Sequence, residues 1–167
     1  IYLYYVLLVA NVCIFQMILH GSAFQFLWPD FADWNAMAMA VFIPVSNACS
    51  SLFAEKMLRV REHFPVHFVV LRAQVWLAPV LVLASVVFPF EMIVPISTAL
   101  VVPTAGVVGI VAIRRWRDGG LDARYFAIAW NLFVLGCLTM ALNKFGVLPY
   151  NWTTENMMQI GSGAETI

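Results

Sequence analysis

The chain has 167 residues, of which 63% are hydrophobic and 11% charged, against about 25% charged in an average soluble domain. Nine basic residues balance nine acidic ones, and the mean hydropathy is +0.88. A soluble domain of this size has no interior large enough for so much apolar surface, so the composition excludes an ordinary globular protein, a disordered chain and a nucleic-acid binder, and points to an integral membrane protein.

A helix that crosses a bilayer needs about 20 apolar residues at 1.5 Å per residue. Uncharged runs predict spans at about 1–28, 34–55, 69–90, 92–113 and 125–147, with a sixth beginning at 154–167. The expected fold class is all-α: a single polytopic transmembrane helix bundle, with five complete spans plus the start of a sixth. The runs are helices because backbone groups in lipid must bond within their own segment. They lack the two-residue alternation of a membrane barrel. Pro44, Pro79, Pro95 and Pro103 lie inside spans and are expected to kink them. The sequence opens on the apolar Ile1 and ends in an apolar stretch at Ile167, and so reads as a segment of a longer protein without a signal peptide.

The connections are short. The second holds Lys56, Arg59, Arg61 and Arg72, and the fourth holds Arg114, Arg115, Arg117 and Arg124. The first carries only Asp30 and Asp33, the third only Glu91, and the fifth Lys144 as its one basic residue. Basic residues thus fall on alternate loops, and the positive-inside rule assigns loops 56–72 and 114–124 to the cytoplasm. Trp28, Phe31 and Trp34 at the first loop, Trp116 and Tyr125 at the fourth, and Tyr150 and Trp152 at the fifth suit the interfacial aromatic belts.

Chemistry-bearing residues are few. Cys13, Cys49 and Cys137 are scattered in apolar runs and suit helix packing. His63 and His67 are separated by Pro65, which argues against one regular helix presenting both. No catalytic residue, metal ligand set or cofactor is expected. Ser46, Ser50 and Ala54 recur at every fourth position, as do Ala105 and Gly109, a spacing suited to close helix contacts. Glu165 lies ten residues after Glu155, about 15 Å deeper on a continuous helix. A carboxylate at that depth is a functional hypothesis by default. Glu165, Asn47 and Asn131 are the candidate intramembrane polar switch, with Asn11 a further interhelical hydrogen-bond partner. A structural polar contact, a conformational switch and a proton or ion pathway are all open readings for Glu165.

Tyr2-Leu3-Tyr4-Tyr5, opening a span that ends in His20-Gly21 and Phe24-Gln25-Phe26-Leu27-Trp28-Pro29, resembles the second helix of the bacterial seven-transmembrane receptors with diverse intracellular signalling modules. Gly120-Leu121-Asp122-Ala123-Arg124-Tyr125-Phe126 with Ala129-Trp130 resembles the entry to that family's sixth helix, and Phe145-Gly146-Val147-Leu148-Pro149 its exit. Thr154-Glu155-Asn156, Gln159-Ile160-Gly161-Ser162 and Glu165 resemble the start of its seventh. The resemblance implies helices two to seven of a seven-helix receptor, lacking the first helix and most of the last. It implies an upstream extracytoplasmic sensor domain, in many members a β-sandwich associated with carbohydrate. It also implies a downstream cytoplasmic signalling domain in the same chain, such as a diguanylate cyclase, histidine kinase or phosphatase.

The expected function is therefore that of a transmembrane signal-transducing domain of a bacterial sensory receptor. The segment itself is not an enzyme. It sits in the bacterial inner membrane and works as a homodimer. Its partners are the lipid bilayer and the sensor and signalling domains on either side of it, with no nucleic acid. The alternative is a small-solute transporter or channel subunit, which would need polar residues of several spans to converge at mid-membrane.

Overall fold

A computed structural model describes residues 2–119 and 121–144. Its regular structure there is entirely helical: α1 (Tyr2–Leu19), α2 (Ser22–Phe26), α3 (Ala32–Met57), α4 (Val60–His63), α5 (Pro65–Val87), α6 (Phe90–Arg117) and α7 (Leu121–Lys144). The all-α expectation holds. Among the described residues, four segments are long and apolar enough to cross a membrane: Tyr2–Leu19, Met37–Met57, Pro65–Val87 and Glu91–Arg117. The fifth expected span, 125–147, overlaps α7, whose 24 residues extend about 36 Å; its last three residues and the sixth expected span at 154–167 lie outside the described residues.

The chain divides into two compact units, Ile1–Val108 and Gly109–Ile167. In the first, α3 is the middle helix and packs against both α1 and α5. Tyr5 meets Phe53 with ring centroids 5.6 Å apart, and Asn11 meets Ser46 further along. Beyond them Ile18, Ala23 and Ala38 form a buried cluster that Met39 and Phe42 join. As α1 advances its partners on α3 recede, so the two run antiparallel. Trp28 closes this end by stacking edge-on against Trp34 at 6.4 Å and donating its indole N–H to Asn35 Oδ1 at 3.3 Å.

Helix boundaries follow local chemistry. The apolar run 1–28 divides at Gly21, whose φ of 74° is left-handed. Glycine adopts that conformation freely, whereas a side chain there costs about 1 kcal/mol. Pro65 opens α5, where its missing N–H is no loss. Pro89 follows the extended Phe88 and separates α5 from α6. Glu91 lies in the first turn of α6, and Arg114, Arg115 and Arg117 lie in its last, each sign matching its end of the helix dipole. Gly119, at φ 88°, follows that end. Helices α3, α5 and α6 run on through Pro44, Pro79, Pro95 and Pro103.

The basic connections are more helical than their charge implies. Residues 56–72 comprise the end of α3, the single turn α4 and the first two turns of α5, so Arg72 is a helix residue. His63 closes α4 and His67 lies in α5, with Pro65 dividing them. In the second unit, α7 buries Ala123, Phe126, Ala127 and Trp130 on one face. Phe126 and Trp130 stack at 5.9 Å, and the Arg124 guanidinium lies 5.9 Å over the Trp116 ring. An ideal Cβ at Gly109 would meet nothing within 4 Å among the described residues, so its small size serves no tight approach there.

Candidate functional site

Helix α3 carries two adjacent polar and small stripes, each with a four-residue repeat. Ser46 hydrogen-bonds the Asn11 side chain of α1, and Phe53 meets Tyr5, so this side of α3 faces α1. Asn47, Ser51 and Glu55 form the neighbouring stripe, and two of the three engage α5. All three are buried.

Asn47 Nδ2 donates to Gln74 Oε1 at 3.2 Å. Asn47 is ten residues from either end of the span Met37–Met57, about 15 Å from each surface. Gln74 lies two residues from the middle of Pro65–Val87. Two neutral amides thus pair near mid-membrane, where the alternative is a polar group in hydrocarbon. Such bonds contribute about 0.6–2 kcal/mol. One turn further, Ser51 Oγ donates to the Asn47 carbonyl at 2.8 Å and so needs no partner on another helix.

Another turn on, the Glu55 side chain is only 5% exposed, and each of its carboxylate oxygens has a cation. Arg72 Nη1 lies 3.3 Å from Oε2, and Lys56 Nζ lies 3.9 Å from Oε1. The Arg72 guanidinium also covers the Phe68 ring at 5.9 Å. Arg72 is half exposed while its partner is buried. The pair is therefore asymmetric: without the guanidinium, the carboxylate would keep only the longer contact to Lys56. The seam between α3 and α5 is thus an uncharged amide bond in the middle and a charged pair near one end.

Of the three candidates named from sequence, Asn47 lies in this seam. Asn131 donates to Ala127 O of its own helix at 2.7 Å. Glu165 falls outside the described residues. Gln74, Glu55 and Arg72 were not among the candidates. The signal for Glu55 was present, since Asn47, Ser51 and Glu55 repeat every fourth residue one position along from the stripe Ser46, Ser50 and Ala54. Among the described residues there is no cluster of three or more His, Cys, Asp or Glu side chains that could hold a metal. His63 Nδ1 lies 3.3 Å from Arg59 O, and His67 packs edge-on against Phe64 at 5.9 Å.

A family model described as 7TM diverse intracellular signalling matches residues 1–167. No curated protein and no solved structure matches the chain. The match covers the whole chain: it belongs to the 7TM diverse intracellular signalling family, and it is a multi-pass membrane protein.

Proposed function

With that membership as the premise, we propose that this domain transduces a signal across the bacterial inner membrane, from an extracytoplasmic ligand event to a cytoplasmic output module. The polar seam between α3 and α5 is the observation that carries the proposal. A two-state transducer needs helix contacts that are specific enough to define each packing and weak enough to exchange. The Asn47–Gln74 bond meets both needs, and the Glu55–Arg72 pair anchors the same interface nearer its end. The basic connection that opens the segment 56–72, ahead of α5, and the segment 114–124 face the cytoplasm in this reading. An upstream sensor domain, carbohydrate-binding or otherwise, would supply the signal. A downstream diguanylate cyclase, histidine kinase or phosphatase would receive it through the last helix, across a homodimer, with Glu165 as a further polar contact that changes between states. The segment itself carries no chemistry.

The test is made on the full-length receptor in cells, with the output of its downstream module as the readout. Gln74→Leu removes the amide partner while keeping volume and helix propensity. It is expected to shift basal output at least threefold at equal membrane abundance, and Glu165→Gln is included in the same series. Unchanged output from both variants would sink the transducing role of these contacts. Solute flux in proteoliposomes that Gln74→Leu abolishes would instead support the transporter or channel reading.

A further inference from the structure

The connection between α3 and α5 is held rigidly where a bare linker would suffice. Leu58 and Val60 are fully buried, and Arg59 stands between them, exposed, at φ 47°. Arg59 is the one non-glycine residue at positive φ among the described residues. That conformation ends α3 and opens α4, a position that glycine fills at lower cost than arginine, and strain of this kind concentrates at functional sites. Two buried anchors thus fix the backbone of a charged residue that projects outward.

The charges around Arg59 are unevenly satisfied. Glu55 is engaged by Arg72 and Lys56. Among the described residues, no carboxylate lies within ion-pair distance of Arg59 or of Arg61, which is exposed on α4. Glu62, between Arg61 and His63, is the one exposed acid of the turn. Within two turns of this cluster, Val66 and Val69 of α5 are 74% and 64% exposed, and the apolar exposure continues to Trp76. In the chain, the unpaired guanidiniums thus stand just ahead of the exposed apolar start of α5. An amphiphile with an anionic head suits both surfaces, and a phosphate accepts two arginines through charge-assisted hydrogen bonds.

We propose that the turn Arg59–His63 and the start of α5 are a binding site for an anionic phospholipid, with Arg59 and Arg61 on the phosphate and the acyl chains along the exposed Val66 and Val69. The occupant is a lipid of the surrounding leaflet, and the site is separate from the polar seam.

The test is native mass spectrometry of the full chain in detergent, titrated with phosphatidylglycerol and with phosphatidylcholine. The wild type is expected to retain phosphatidylglycerol at about tenfold lower concentration. Arg59→Gln with Arg61→Gln is expected to erase that preference with unchanged circular dichroism, and Arg59→Lys with Arg61→Lys to keep most of it. If the double glutamine variant does not fold, Arg61→Gln alone, at an ordinary backbone position, is expected to reduce the preference at least threefold. Equal retention of the two lipids would overturn the proposal. So would a preference that survives Arg61→Gln, one that is lost instead in Arg114→Gln/Arg115→Gln/Arg117→Gln, or displacement of the lipid by low millimolar inorganic phosphate.

Discussion

Single side chains decide most of what is specific about this protein. Asn47 and Gln74 each would be a cost in hydrocarbon, and together they are a bond. A double-mutant cycle with Asn47→Ala and Gln74→Ala, followed by unfolding in mixed micelles, is expected to give a coupling of about 0.6–1.7 kcal/mol. A coupling near zero would show that the two amides act independently. Arg59 presents the opposite case, a residue strained where it stands. Arg59→Gly relieves the left-handed backbone and is expected to stabilise the fold by about 1 kcal/mol, visible as a raised unfolding midpoint. A loss of stability would mean that the side chain supports the turn by contacts that outweigh the strain.

At the scale of helices, hydropathy located the segments and charge misplaced some of their ends. Uncharged runs marked α3, α5 and α6 because lipid leaves the backbone no other structure. The break at Gly21 was hidden, since an apolar run carries no sign that one residue is left-handed. Arg72 was counted with the connection as well as in the span 69–90, because a charge inside a span is costly. The structure meets that cost with Glu55 of the neighbouring helix. Gln74 escaped notice for a related reason: an uncharged amide barely lowers the hydropathy of its run, and its partner lies 27 residues away. Composition reports what a side chain costs alone, whereas pairing across α3 and α5 is a property of two helices. One four-residue repeat on α3, Ser46, Ser50 and Ala54, was legible, and a second lies one position along from it: Ser46 and Phe53 meet α1, while Asn47 and Glu55 meet α5.

For the molecule as a whole, alternation of basic connections supports the topology through the positive-inside rule, and the family is legible in the sequence motifs, in agreement with the family model that matches residues 1–167. The site was less legible, because its members are spread over two helices and only Asn47 is conspicuous. One feature of the seam also bears on how the protein is made. Arg72 enters the insertion machinery two turns into α5, after its partner Glu55 has already emerged 17 residues earlier. A lone α5 would carry an unpaired guanidinium into lipid at a cost of up to about 3 kcal/mol. With α3 beside it, the carboxylate is waiting. The two helices are therefore expected to enter the bilayer as a hairpin. In a glycosylation-mapping assay, α5 alone should insert less completely than α3–α5 together, and Glu55→Gln should narrow that gap. Biogenesis, on this view, has an order written into it: the acid comes first, and the helix that carries the base inserts more readily because the acid is already there.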